Sequence, residues 1–261
     1  MGCAGWEYND WIGPFYPKKM KNSDHLSFYA KFFDFIEINS TFYNLPNKET
    51  VERWNEIVPP SFEYAVKIWQ DITHDAKGID LESKLNQFFY RMEPLKEKIC
   101  AILLQFPPWF KYSKKHLSHL LSIINESPPE HMLVFELRDN SWFEKAILSR
   151  VIDGTRTVLG TSYLEGVIPY FHPAQNSYYI RLLGDRQLNK FHRVQRTQEN
   201  IIADLERELH SLEKTSIDLD IFIIVNNHFT GYSPETVNIL KKRWGLPTRE
   251  HDKQKKLSDF F

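Results

Sequence analysis

Short apolar runs recur along the chain, with amphipathic stretches between them. Eight runs qualify as strands: residues 1–5, 35–40, 62–68, 100–106, 133–138, 157–162, 177–184 and 221–227. Most are continuous rather than alternating, and rich in β-branched or aromatic side chains. That pattern belongs to strands covered on both faces, as in parallel sheets. Helices are expected over residues 23–33, 47–58, 80–95, 113–125, 141–151, 197–212 and 233–244. Ser23, Asn47 or Lys48, and Ser233 stand where caps belong, and Pro234 takes a first helical position. Pro59-Pro60 and Pro128-Pro129 follow two of the helix ends. Ile201, Leu205, Leu209 and Leu212 form one apolar stripe.

No helix is evident between the sixth and seventh strands, where residues 160–173 read as loop. Strand-then-helix units repeated in this way, with one helix missing, predict an α/β protein: a TIM-like (β/α)8 barrel. The barrel is expected to be a single domain over residues 1–245, with residues 246–261 a short flexible tail. An open doubly wound sheet is the alternative, but that fold carries fewer strands and a Gly-rich first turn. Neither a GxGxxG string nor a P-loop occurs.

Composition narrows the picture. Of 261 residues, 42% are hydrophobic and 15% aromatic, enough for a large core. A net charge of −1 argues against wholesale coating of nucleic acid and leaves room for a local basic patch. Cys3 and Cys100 lack metal-ligand spacing and read as buried free thiols in a reducing compartment. The opening MGCAGWEYNDW has no signal-peptide pattern, and no apolar run approaches the roughly 20 residues of a membrane span. The expected location is cytoplasmic, or nucleoid or nuclear in a eukaryote, with no membrane partner.

In such a barrel the functional groups sit at the carboxyl ends of the strands. Those ends supply Glu37 and Asn39 with Tyr43 beyond them; Lys67 and Trp69 followed by His74; Gln105; Glu136 and Arg138 followed by Trp142; Arg181, Asp185 and Arg186; and Asn226, Asn227 and His228. A barrel interior tolerates charges only when they are paired or have a purpose. One reading is a self-satisfied ion network among Glu37, Glu136, Lys67, Arg138 and Arg181. The other is a cationic pocket with embedded carboxylates, lined by Trp6, Tyr43, Trp69 and Trp142. There Arg138, Arg181, Arg186, Asn39, Asn226 and Asn227 would hold an anion, and aromatics would stack on bases or sugars. Glu37, Glu136, His74 and Lys67 would be the catalytic groups, acting as acid and base or through a divalent ion such as Mg²⁺ or Mn²⁺. His74 reads equally as acid, ligand or cap, and Asn226-Asn227 as ligand contacts or turn formers. The segment GDRQLNKFHRVQR sets Arg186, Lys190, His192, Arg193 and Arg196 around Phe191, a composition that suits a nucleic-acid backbone or a solvated loop. No GxSxG, HExxH or His-x-His string marks a serine hydrolase or a strong metal site.

The last eight residues, QKKLSDFF, stand apart. Gln254, Leu257, Phe260 and Phe261 resemble the peptide that docks on the PCNA sliding clamp. One turn would gather Leu257, Phe260 and Phe261 into an apolar plug, with Gln254 as a directional hydrogen-bonding group.

The strings GCAGW, WIGPFYP, EINSTFY, YAVK, ITH, LLQFPP, FELRDNSW, YIRLLGDR and NNHFTGYSP together resemble the YecE-like family, domain of unknown function 72, through nearly the whole barrel. The resemblance implies a TIM-like barrel and no activity. The fold it implies is similar to that of the apurinic endonuclease IV and xylose isomerase groups. The sixth strand carries Gly160-Thr161-Ser162 where the family pattern has an Asp. With the clamp-like peptide, the reading is a DNA-processing hydrolase, a metal-assisted nuclease brought to DNA by the clamp. The alternatives are an enzyme acting on a small anionic metabolite such as a sugar phosphate, and a non-catalytic clamp adaptor.

Overall fold

Eight parallel strands close on themselves in sequence order, β1 pairing with both β2 and β8. The computed structural model describes residues 1–74, 80–214 and 218–249. The elements are β1 (Gly2–Ala4), α1 (His25–Tyr29), β2 (Phe35–Ile38), α2 (Ser40–Tyr43), α3 (Lys48–Glu56), β3 (Glu63–Lys67), α4 (Gln70–Thr73), α5 (Leu81–Met92), β4 (Ile99–Gln105), α6 (Lys114–Glu126), β5 (Leu133–Glu136), α7 (Lys145–Leu148), β6 (Thr157–Leu164), β7 (Ser177–Gly184), α8 (Glu199–Glu213), β8 (Asp220–Val225), α9 (Asn227–Thr230) and α10 (Ser233–Arg243). The expected TIM-like barrel is the observed fold, and β6 runs into β7 with no helix between them.

The caps explain several helix starts. Asn47 accepts from the Thr50 amide and Ser113 from the His116 amide, satisfying donors that the first turns of α3 and α6 leave open. Other helices are shorter than the apolar pattern suggests. The expected helix over 141–151 is a 3-10 turn (Asn140–Trp142) and then one turn of α7. Asp139 caps the 3-10 turn through the Ser141 amide, which pins the chain before a longer helix can begin. The loop expected from residue 160 starts later, because β6 continues to Leu164.

Two apolar cores result. The larger lies between sheet and helices. The smaller fills the barrel with Ala4, Phe35, Ala65, Ala101, Leu103, Val134, Val158, Tyr179 and Ile224. Strand side chains alternate between these cores. One step of two residues from the inner plug towards the carboxyl ends reaches Glu37, Lys67, Gln105, Glu136, Gly160, Arg181 and Asn226. Gly160 is one place where size is decisive, since a Cβ there would lie 2.9 Å from Val134 Cγ1. At the opposite, amino-terminal end of the barrel, Arg249 pairs with Asp34 at 2.8 Å, just before β2 begins. Residues 250–261, including Gln254, Leu257, Phe260 and Phe261, lie outside the described residues. Among the described residues no helix is long and apolar enough to cross a membrane.

Candidate active site

The polar layer above the inner plug is organised by one guanidinium. Arg181 Nε and Nη2 donate to the two oxygens of Glu37 at 2.8 and 2.7 Å, and Nη1 reaches Glu136 Oε2 at 2.5 Å. Tyr179, one alternation below, donates its hydroxyl to Glu37 Oε2, and Asn39, one alternation above, donates to Oε1. Arg138 closes the set on Glu136 Oε1 at 2.6 Å. Both carboxylates therefore face the barrel interior, and Glu37 is 0% exposed. Burial alone would raise the Glu136 carboxyl, but Arg181 and Arg138 outweigh it and hold it at about 2. The same two carboxylates outweigh the burial of Arg181 and strengthen its hold on its proton.

The ion network among these residues thus forms, with one exception. Lys67 lies at the same level, yet its Nζ donates to a neutral acceptor, Gln105 Oε1, at 2.9 Å. Its other neighbour is the Phe42 ring, 3.7 Å to the centroid. Thr41 fixes the strand end beneath it by donating to the Lys67 carbonyl at 2.6 Å. Burial first, and then Arg181, bring the amine down to about 7. The Phe42 face attracts the ammonium form and works against that fall. Both protonation states are therefore accessible near neutrality.

Above this layer the mouth opens into a cavity of about 380 Å³ lined by Tyr8, Asn39, Tyr43, Lys67, Gln105, Arg138, Leu164, Arg181, Leu183, Arg186, Asn226 and His228. A neighbouring hollow of about 490 Å³ shares Tyr43, Lys67, Gln105, Arg138, Leu164 and Arg186, and adds Phe42, His74, Pro107, Pro108 and the carboxylates Glu165 and Asp185. Three arginines and a lysine converge here, and no carboxylate lines the first cavity. Arg186 is held in the left-handed region at φ 63°. The preceding Asp185 keeps it there by accepting from the Gln187 amide and from both terminal nitrogens of Arg196. Gly184 lets the start of α9 approach, because a Cβ there would sit 2.3 Å from the His228 carbonyl oxygen. His74 Nδ1 lies 2.8 Å from Thr73 Oγ1, and burial followed by the charges of Lys67 and Arg138 lowers its pKa.

Several expectations are corrected. Trp142 is 0% exposed; its Nε1 donates to the Phe110 carbonyl at 2.6 Å and its ring stacks on Phe110, so it is a core residue. Asn227 is also buried, its Oδ1 accepting from Trp11 Nε1 and from the Ser233 amide and hydroxyl. It occupies the outward register, one residue past the inward Asn226. Trp69 packs half-buried against the outer core, because the chain leaves the strand after Lys67 and the alternation ends. Trp6 packs edge-on against Trp54 and lines neither mouth cavity. Arg196 is tied to Asp185, His228 and Phe229, so the segment after β7 is a braced loop rather than a string of unpaired cations.

Tyr8, Gln105, Leu164, Leu183 and His228 complete the mouth, and Tyr179 supports it from below. The i, i+2 pairs Tyr179/Arg181, Glu37/Asn39 and Glu136/Arg138 were the available signal. A divalent ion at Glu37 and Glu136 would have to displace the Arg181 guanidinium. Among the described residues no three His, Cys, Asp or Glu side chains are grouped to hold a metal. The donor set does not fit Mg²⁺ or Mn²⁺.

The profile of a family described as "Protein of unknown function DUF72" matches residues 1–258. The chain is 23% identical over 257 residues to UPF0759 protein YunF of Bacillus subtilis, covering 88% of this chain and 89% of that protein. It is 28% identical over 145 residues to UPF0759 protein YecE of Escherichia coli, covering 56% of this chain and 50% of that protein. A DUF72 family protein of Thermotoga maritima superposes with a TM-score of 0.77 at 24% identity, covering 94% of this chain and 98% of the other. One from Enterococcus faecalis superposes at 0.73 with 22% identity, covering 98% of each chain. These structural likenesses concern the fold.

Proposed function

Given that the chain belongs to the DUF72 family of proteins of unknown function, we propose a function from the site itself: an enzyme that holds a small anionic substrate under arginines and works on it with the Lys67 amine. The observation that carries this reading is the contrast between two kinds of charge. Glu37 and Glu136 are saturated by Arg181, Arg138, Tyr179 and Asn39. Lys67 borders the cavity with a neutral amide and a ring as its neighbours. A phosphate or carboxylate in the cavity would take charge-assisted hydrogen bonds from Arg138, Arg181 and Arg186. An amine poised near neutrality suits proton transfer to or from the atom beside that anion. Isothermal titration with inorganic phosphate is the direct test. Binding that weakens in Arg138→Ala and Arg186→Ala supports the reading; no heat with millimolar phosphate and none with millimolar acetate overturns it.

The second reading is the DNA-processing hydrolase recruited by the PCNA clamp. Its supporting observation is Tyr43, 71% exposed at the rim of the cationic mouth, where an unpaired base could stack. Its water-activating group would have to be Lys67 or His74, since both glutamates are engaged. Labelled single- and double-stranded DNA incubated with Mg²⁺ or Mn²⁺ tests it, alongside PCNA pull-down by the wild type and by Phe260→Ala/Phe261→Ala. Cleavage abolished by Lys67→Met supports it. Absence of cleavage leaves the small-substrate reading in place.

A further inference from the structure

We propose that Lys67 is a nucleophile which condenses with the carbonyl of a small substrate that also carries an anionic group, forming an imine. This rests on the reading of the mouth as an anion-binding enzyme site and names the substrate class. Most buried lysines are held by a carboxylate, which keeps the amine charged and unreactive. Lys67 lies in a layer with two carboxylates, Glu37 and Glu136, which are ion-paired to Arg181 and Arg138 and whose remaining pull on the ammonium is outweighed by burial and the nearby arginines. Gln105 Oε1 is its hydrogen-bond partner among the described residues and fixes the direction of one N–H. Phe42 covers Nζ on one side at 3.7 Å, while the side chain still borders both mouth hollows. Desolvation beside cationic groups is the usual way a protein makes a lysine nucleophilic.

The arginines supply the other half of the argument. Arg138 and Arg181 share the first cavity with Lys67, and Arg186 overhangs it. An anion bound by these groups would bring a neighbouring carbonyl carbon to Nζ. The amine nitrogen then bonds to that carbon and the carbon–oxygen double bond is broken. Both amine hydrogens leave with the oxygen as water, so no oxidant or further reactant is needed. An ordinary lysine is neutral in only about one molecule in a few thousand at pH 7, whereas burial and Arg181 bring Lys67 down to about 7.

The test is reductive trapping on the intact chain at pH 7. The probes are glycolaldehyde phosphate, glyoxylate and uncharged glycolaldehyde, each with sodium borohydride, followed by peptide mass mapping. The expected result is a reduced adduct on Lys67 formed by one or both anionic probes at least about tenfold faster than by glycolaldehyde or at exposed lysines. Excess inorganic phosphate should suppress it. Comparison of the two anionic probes separates a phosphate-bearing from a carboxylate-bearing substrate. Lys67 reacting no faster than surface lysines overturns the proposal. If phosphate or acetate still binds by titration in that case, the anion site survives and only the imine fails; if neither binds, the site reading fails with it.

Discussion

Arg181 donates to both oxygens of Glu37, Nε to Oε2 at 2.8 Å and Nη2 to Oε1 at 2.7 Å, inside the barrel. The pair is bidentate and almost wholly buried, and Arg181 also serves Glu136. Such a charge is secure only while every partner is present. Glu37→Gln is expected to cost about 3–5 kcal/mol, because it leaves part of a buried guanidinium uncompensated. Arg181→Met should cost more, since it strands two carboxylates. Urea denaturation compares them; equal stability of all three proteins would contradict the network's role.

The Glu136 carboxyl, held at about 2 against an ordinary 4.5, gives the acid limb of the stability curve a definite sign. Its folded pKa lies below its unfolded one. Its contribution is complete above pH 4.5 and is lost as pH falls towards 2. In Glu136→Gln the stability should decline less steeply across that window, measured by denaturant unfolding at a series of pH values.

Lys67 predicts a rise of the same sign in a higher pH window. Its folded pKa, about 7, lies below the ordinary 10.5, so the unfolded chain binds more protons between those values. Wild-type stability should therefore rise with pH from 7 to 10.5 on account of this group. Lys67→Met should be more stable than wild type at pH 6, with the advantage shrinking towards pH 10. Thermal melts at pH 6, 8 and 10 decide it.

Arg186 separates binding from folding. Its left-handed backbone costs about 1–2 kcal/mol in a non-glycine residue, and nothing else in the turn requires an arginine. Arg186→Gly should leave the protein as stable or stabilise it by about 0.5–1 kcal/mol. The same change should weaken phosphate binding roughly 10–100-fold, the loss of one charge-assisted hydrogen bond. Calorimetry and a melting curve on one sample check both halves.

Trp142 makes the contrasting case. Trp142→Ala should cost about 3–5 kcal/mol, leaving a void beside Phe110 and an unpaired carbonyl. Phosphate affinity of the folded protein should be unchanged. A clear loss of affinity would return Trp142 to the pocket.

The fold was legible because continuous apolar runs and their spacing specify a closed parallel sheet, and β7 lies where the pattern placed it. The charged layer was legible as a set of strand ends, but not its wiring. Whether Glu37 and Glu136 both face inward depends on the register of two strands that meet only through the closed barrel. Asn227 misled because it is one residue past Asn226, and a shift of one reverses the face. Trp142 misled because its direction is set by the carbonyl of Phe110 on another loop, which no local pattern encodes. Tyr179 was hidden inside a strand whose apolar character gave no hint of a buried carboxylate above it.

Arg249, anchored to Asp34, is at the pole of the barrel remote from Lys67. A resin or fluorophore joined at that pole, through a cysteine placed at the exposed position 31, would leave the mouth unobstructed, so the immobilised protein can be used to fish for its own substrate from metabolite mixtures.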